Sequence, residues 1–207
     1  PLMLIINPLD EIQNKIVHIS GVQENLQLVK SSAHRLLALV NDLMDLKKIE
    51  NGNRELELSS FDFKTLIQEI YYSFQAMAHQ RGITLKLSLP EQEMLATFDK
   101  AKLEKVFFNL LANALKFTPE GGTVMLSVSA VQREKSSIHV EVKDTGVGIS
   151  DEDISKIFQP FALSRQDLHG QMGGSGVGLT IVESIVERHG GCLLYTSPSP
   201  RDPKTSR

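Results

Sequence analysis

The sequence predicts an α+β fold in which a helical hairpin precedes a layered α/β sandwich. Apolar residues recur every three or four positions over roughly the first fifty residues, which is the spacing of amphipathic helices. Further along the chain, runs of alternating apolar residues are interspersed with more helical patterns, as expected for a sheet packed against helices. Polar and glycine-rich motifs at the ends of these elements contain the candidate ligand-binding residues.

Two apolar stripes predict the hairpin. Their members step by three and four along the chain: Leu2, Ile5, Leu9, Ile12 and Ile16, then Leu26, Val29, Ala33, Leu36, Val40 and Leu43. Polar residues around Gly21 separate the stripes, and Pro8 predicts a kink in the first helix. A hairpin this narrow has little core of its own, so we expect residues 1–50 to form a homodimeric four-helix bundle.

The elements that follow can be assigned in chain order. Leu56 and Leu58 predict a short strand, and Asp62 predicts the cap of a helix that ends at Gly82. Alternating apolar residues predict three strands over residues 83–89, 124–128 and 138–142. Ser150 and Asp153 have the spacing of a capping box before a short helix.

Three polar residues share one face of the helix predicted after Asp99. Asn109, Asn113 and Lys116 lie at positions i, i+4 and i+7, beside apolar residues that are typical of a core. Carboxamide oxygens suit Mg²⁺, which prefers oxygen ligands and keeps several waters, and an ammonium group suits phosphate. An amphipathic helix whose two asparagines fall in register by chance remains the alternative at this point.

An acidic turn closes the strand predicted over residues 138–142. Asp144 can accept a hydrogen bond from the exocyclic amine of a purine, while Gly146 and Gly148 allow a sharp turn and close approach to a ligand. By itself, the Asp-x-Gly-x-Gly pattern is weak evidence for a ligand-binding site, because ordinary turns also contain it.

A glycine-rich loop leads directly into the last helical pattern. Gly174, Gly176 and Gly178 precede Leu179, and the free N–H groups and dipole of a helix N-terminus favour anions. The loop lacks the Lys-Ser/Thr pair of a P-loop and the strand-first context of a dinucleotide-binding fingerprint. A flexible linker is the alternative, although a linker is not expected to continue straight into an amphipathic helix.

The ordered set of Asn helix, Asp-glycine turn and glycine loop resembles the catalytic ATP-binding domain of sensor histidine kinases. These enzymes belong to a wider group with type II topoisomerase, mismatch-repair and heat-shock chaperone ATPases. The resemblance covers nearly all of residues 1–191. It implies ATP and Mg²⁺ as cofactors, with Asn113 as the metal ligand, Asn109 beside it, Lys116 meeting phosphate and Asp144 reading the adenine amine.

The same resemblance gives roles to the remaining motif residues. Gly146 and Gly148 would shape the adenine pocket, and Phe158 and Phe161 would anchor a lid over residues 162–172. Gly174, Gly176 and Gly178 would close over the phosphates, and Leu179 would begin the following helix. In the lid, Arg165 is more simply explained as a solvated loop residue than as a phosphate ligand.

The resemblance also implies the domain organisation and the reaction. Residues 1–52 would form the dimerisation and phosphotransfer hairpin, and residues 53–191 the catalytic domain. The intact enzyme would transfer the ATP γ-phosphate to a histidine and then to an aspartate of a response-regulator receiver domain. The alternatives are a catalytically dead nucleotide-binding and dimerisation module, or another ATPase of the wider group, although those lack the hairpin.

The chain departs from the family at both ends. The phosphoacceptor opens a His-Glu-Leu-Arg-Thr-Pro-Leu motif, of which Pro1 and Leu2 match only the last two residues, so we expect the acceptor upstream of residue 1 and no catalytic residue within the chain. His18 and His34 are interpreted as ordinary histidines. Residues 192–207 resemble a translated sequencing adapter, with a genuine Pro/Ser-rich linker as the alternative.

Composition excludes several classes of function. Twenty-two basic and 25 acidic residues leave the charge near neutral, so no bulk attraction to nucleic acid is expected. The single cysteine, Cys192, excludes a disulfide framework. No apolar run approaches the ~18 residues that span a bilayer. We therefore expect a cytoplasmic fragment whose parent contacts the membrane, if at all, only through regions outside this sequence.

Overall fold

The computed structural model describes residues 22–50, 55–132, 136–162 and 176–195 of the chain. It divides into two compact units, Pro1–Asn53 and Arg54–Arg207. Within the described residues, no helix is both long enough and apolar enough to cross a membrane.

The first unit contains helix α1, Val22–Glu50. This helix carries the second predicted stripe, of which Leu26 is buried while four members are exposed: Val29, Leu36, Val40 and Leu43. The predicted first helix, its kink at Pro8 and the turn near Gly21 lie outside the described residues. The structure therefore describes only the second helix of the predicted hairpin.

The second unit begins with a pair of short antiparallel strands. Strand β1, Ser59–Asp62, pairs with β3, Leu95–Phe98. The strand predicted at Leu56 and Leu58 is wrong, because residues 55–58 are not in a strand and pairing begins at Ser59. Strand β3 was not predicted because its four residues are too short to show a clear alternation.

Helix α2, Phe63–Gln80, begins where the sequence predicts. The Asp62 carboxylate accepts hydrogen bonds from the backbone N–H groups of Lys64 and Thr65, both at 3.2 Å, and from that of Met94 at 3.1 Å. The Thr65 hydroxyl, which donates to it at 2.7 Å, contributes most to a lowered pKa of Asp62; burial opposes this effect, and the three backbone donors each lower the pKa further. This cap fixes the start of the helix.

A mixed three-stranded sheet forms the centre of the second unit. Strand β4, Thr123–Gln132, lies between β2, Thr84–Ser88, and β5, Ser136–Asp144. It pairs in parallel with β2 and antiparallel with β5. Alternate residues of β4 are fully or nearly fully buried, namely Val124, Leu126 and Val128. Their spacing of two places them on one face of the sheet, as their alternation predicts.

Three further helices complete the described part of this unit. Helix α3, Lys100–Phe117, packs against α2 and the sheet, and helix α5, Gly178–Arg188, packs against α3. The four-residue helix α4, Asp151–Ile154, is capped by Ser150, whose hydroxyl oxygen accepts from the Asp153 N–H at 3.2 Å, as predicted. The fold is therefore α+β with a mixed sheet.

Candidate functional site

Helix α3 presents a buried apolar face and a more accessible polar one. Leu111 and Leu115 are fully buried, whereas Asn109, Asn113 and Lys116 are half-buried. The helix starts after Asp99, a buried residue whose Oδ1 accepts from the Lys102 N–H at 3.1 Å. Burial of the leucine face holds the helix against the core and keeps the predicted polar face accessible to a ligand.

Asn109 has a fixed orientation. Its side-chain Nδ2 donates to the Lys105 carbonyl at 2.9 Å, which turns Oδ1 away from the helix backbone. A Cβ placed on Gly178 would lie only 2.7 Å from this oxygen, so the start of helix α5 approaches Asn109 closely. The structure therefore brings together a carboxamide oxygen and the helix that follows the glycine loop.

The other two polar residues of α3 follow toward its C-terminus. Asn113 lies one turn after Asn109 and is half-buried. The Lys116 ammonium lies 4.6 Å from the centroid of the Phe117 ring, which holds the cation at the end of the helix that faces the Asp144 turn.

The Asp144 turn is attached to the C-terminus of α3. Asp144 ends strand β5, is exposed, and accepts from the Gly146 N–H through Oδ1 at 2.8 Å. A Cβ on Gly146 would lie 2.6 Å from the Phe117 carbonyl oxygen, so only glycine fits there. Gly148 has a φ of 73°, a left-handed conformation that glycine adopts without strain.

The last carbonyl groups of α3 each have a partner. Arg81 donates to the carbonyls of Leu115 and Lys116, the second at 3.3 Å, and the Val147 N–H approaches the Phe117 carbonyl at 3.4 Å. Sequence reasoning did not identify Arg81, because 34 residues separate it from Leu115 and no local pattern marks the contact. This residue stabilises the helix end that supports the Asp144 turn.

The glycine loop is described from Gly176 onward, and Gly174 and Arg165 lie outside the described residues. Gly176 has a φ of 67°, and a Cβ there would lie 2.8 Å from the Phe161 carbonyl carbon. Helix α5 begins at Gly178, one residue before the predicted start at Leu179. The residue at its N-cap position is Val177, whose side chain makes no capping hydrogen bond.

The two predicted lid anchors are close to the start of α5. The Thr180 hydroxyl donates to the Phe158 carbonyl at 2.8 Å. Phe161 is exposed and has a φ of 63°, a strained conformation for an aromatic residue. Ala162 and Gly176 therefore lie next to each other in the described structure.

The residues present fit a nucleotide bound along α3. The Asn109 oxygen and the N-terminus of α5 lie together, and both favour a cation–phosphate group. The Asp144 turn contacts Phe117 at the C-terminus of α3, and Phe117 lies eight residues or about 12 Å further along the helix than Asn109. Among the described residues, no three or more His, Cys, Asp or Glu side chains form a group that could hold a metal ion.

Comparison with known proteins identifies one family over half of the chain. Residues 98–206 match the family described as histidine kinase-, DNA gyrase B- and HSP90-like ATPase. The match includes all three motifs. It confirms the prediction of an ATP-binding catalytic domain of the sensor histidine kinase type.

A curated relative and two solved structures extend this result. Histidine kinase P4 of Formosa agariphila is 35% identical over 196 residues, which is 93% of this chain but only 14% of that protein. A solved structure of full-length ShkA in complex with AMPPNP has a TM-score of 0.68 and 25% identity, covering 91% of this chain and 41% of that one.

The histidine kinase AdeS of Acinetobacter baumannii also has a TM-score of 0.68, covering 96% of this chain and 90% of that one. At 23% identity, this likeness supports the fold alone.

Proposed function

This chain belongs to the histidine kinase-, DNA gyrase B- and HSP90-like ATPase family, and we propose that its second unit binds ATP·Mg²⁺ along helix α3. The observation that supports this most directly is the close approach of the Asn109 oxygen to Gly178 at the start of α5. It joins an oxygen donor and a helix N-terminus at one point, as a metal–triphosphate group requires. The nucleotide analogue in the ShkA structure supports the same ligand class.

We assign the individual roles from this geometry and from the family motifs. Asn113 ligates Mg²⁺ with Asn109 beside it, and Lys116 meets phosphate. A bound Mg²⁺ would offset the negative charge of the phosphates. The chain's own residues hold and orient the nucleotide, since phosphoryl transfer depends mainly on positioning and charge neutralisation.

Two further groups of residues complete the nucleotide site that we propose. Asp144 accepts from the adenine amine through the carboxylate oxygen that Gly146 leaves uncontacted, and Gly148 completes the turn. Gly174, Gly176 and Gly178 lie over the phosphates, with Leu179 in the first turn of α5.

We further propose that the whole protein is a sensor histidine kinase. This chain covers only 14% of the first curated relative, so the phosphotransfer reaction belongs to a longer protein. The acceptor histidine lies outside this sequence, and the phosphoryl group passes on to an aspartate of a response regulator. Among the described histidines, His189 is already hydrogen-bonded by the Asp99 N–H and is therefore a poor candidate for the acceptor.

The first unit is proposed to form a homodimer through residues 1–50. Four apolar residues of α1 that share one helix face are exposed: Val29, Leu36, Val40 and Leu43. They repeat with the heptad spacing that buries side chains between paired helices. A second copy of this chain presents the same stripe and is the partner that fits it.

The nucleotide proposal is tested at Asp144. Asp144→Asn keeps an amide oxygen that can accept from Gly146, and it turns the remaining oxygen into an NH₂ donor. Two donors would then face each other at the adenine amine. We expect a loss of about 1–3 kcal/mol in ADP binding by calorimetry, roughly five- to 150-fold in affinity.

A matched control lies three residues earlier on the same strand. Glu141 is also an exposed carboxylate of β5, and Glu141→Gln should leave ADP affinity unchanged. Asn113→Ala should reduce the Mg²⁺ dependence of ATP binding. Unchanged ADP affinity in Asp144→Asn would refute the adenine assignment, and an unaltered Mg²⁺ titration in Asn113→Ala would refute the metal assignment.

A further inference from the structure

Helices α3 and α5 pack side by side and run in opposite directions. His189, which follows the last residue of α5, contacts Asp99, which precedes the first residue of α3. At the other end, Gly178 contacts Asn109. From Asp99 to Asn109 is ten residues, and from Gly178 to His189 is eleven, so the two paths are about 15 and 16.5 Å long. Both ends of α5 are therefore held against the N-terminal half of α3, over nearly equal lengths of the two helices.

The His189 contact is a defined hydrogen bond between fixed atoms. The Asp99 N–H donates to Nε2 of His189 at 3.1 Å, so the neutral ring carries its proton on Nδ1, which donates to the Ile185 carbonyl at 2.8 Å. The ring also lies 5.7 Å from that of Phe98. These contacts set the position of the imidazole relative to the start of α3.

Asp99 is itself held rigidly. It is buried, and its carboxylate accepts from the Lys102 N–H and from the Glu57 N–H, both at 3.1 Å. Asp99, the residue that His189 contacts, is therefore held in place by two hydrogen bonds that do not involve α5.

We propose that His189 is a positioning residue that sets the axial register of α5 against α3 and so keeps Gly178 opposite Asn109. The buried contacts of α5 are made by the aliphatic side chains Ile181, Val182 and Ile185. Apolar attraction is not directional, whereas a hydrogen bond fixes two atoms. A shift of a single residue would move Gly178 by about 1.5 Å along the helix. The consequence for nucleotide binding rests on the function proposed above.

Two substitutions separate the contacts of the imidazole. His189→Gln places an amide oxygen near the position of Nε2, where it can accept from Asp99. His189→Asn keeps a donor near the position of Nδ1 but is too short to reach Asp99. Both variants lose the ring contact with Phe98, and they differ in the hydrogen bond that they keep: His189→Gln keeps the one from Asp99, and His189→Asn keeps the one to the Ile185 carbonyl.

The first measurement is the affinity of the full chain for Mg²⁺·ADP by calorimetry. We expect His189→Asn to bind about three- to tenfold more weakly than His189→Gln, the range that one net hydrogen bond spans. Asp62→Ala provides a control that is destabilised at the cap of α2, where the hydrogen bonds of the Asp62 carboxylate go to Lys64, Thr65 and Met94 and not to α3 or α5, and it should keep the affinity of the unsubstituted chain.

The second measurement needs no nucleotide. The side-chain NH₂ signals of Asn109 in a ¹⁵N-correlated NMR spectrum should move in His189→Asn and remain in place in His189→Gln and Asp62→Ala. Equal affinities and unmoved Asn109 signals in His189→Asn would overturn the proposal, and so would equal effects of the two His189 substitutions. If the unsubstituted chain bound no ADP, the proposed function would fail, and the Asn109 signals alone would decide the register.

Discussion

Gly178→Ala should separate nucleotide binding from stability. Gly178 is the first residue of α5, and its φ is not in the left-handed region, so alanine fits the backbone. Replacing glycine by alanine in a helix favours folding by about 0.5–1 kcal/mol. The added Cβ, however, would lie 2.7 Å from Asn109 Oδ1, well inside normal contact.

Relief of that contact moves the Asn109 side chain. Its bond to the Lys105 carbonyl, 2.9 Å long, is then weakened or lost, at a net cost of about 0.5–1.5 kcal/mol. This cost nearly offsets the gain in helix propensity, so the free energy of unfolding should change by less than about 1 kcal/mol. The displaced oxygen no longer faces the phosphate end of the site, and affinity for Mg²⁺·ADP should fall.

The assay combines calorimetry of Mg²⁺·ADP binding with thermal unfolding. Gly121→Ala is the matched control, because a Cβ there meets no atom within 4 Å but the residue has a φ of 80°. It should lose about 1–2 kcal/mol of stability and keep its affinity, the opposite pattern to Gly178→Ala. In an Asn109→Ala background the contact is absent, so adding Gly178→Ala should cause no further loss of affinity. Additive losses in the double variant, or unchanged affinity in Gly178→Ala, would refute the reasoning.

Three further predictions concern the cap, the dimer and the phosphoacceptor. Because folding lowers the pKa of Asp62, its contribution is present above about pH 3.9, the ordinary carboxyl value, and is lost as the pH falls through the lowered folded value. Asp62→Ala should therefore cost about 1 kcal/mol at neutral pH, and denaturant titrations should show a smaller difference in acid; a difference independent of pH would contradict this. Leu36→Glu with Val40→Glu should give monomers by light scattering, whereas Ala38→Glu, on the opposite face of α1, should leave dimers; dimers in both cases would place the interface elsewhere. Incubation with γ-labelled ATP should leave the chain unlabelled, because none of its histidines opens a His-Glu-Leu-Arg-Thr-Pro-Leu motif; acid-labile label that disappears in His18→Ala or His34→Ala would show that the acceptor was misplaced.

Sequence patterns predicted the helix caps and strands that are determined by residues close together in the chain. Asp62 and Ser150 cap helices because a short polar side chain can accept hydrogen bonds from backbone N–H groups two or three residues further along the chain. The alternation in β4 identified the strand because its period of two places Val124, Leu126 and Val128 on one buried face. The prediction failed at β1, where Leu56 and Leu58 alternate but the paired residues begin at Ser59. Strand pairing, rather than the local pattern, decides that boundary.

The sequence by itself determined the family, the helix that carries the asparagines and the types of residue at each motif, because residue spacing along a helix or strand is fixed by backbone geometry. Tertiary structure decided which of these residues meet. Asn109 and Gly178 are 69 positions apart, and their contact exists only because α3 and α5 pack in one register. Arg81 and His189 carried no local signal, since each acts on the backbone of a distant helix end. Long-range hydrogen bonds of this kind depend on the packing of whole elements, which no short stretch of sequence specifies.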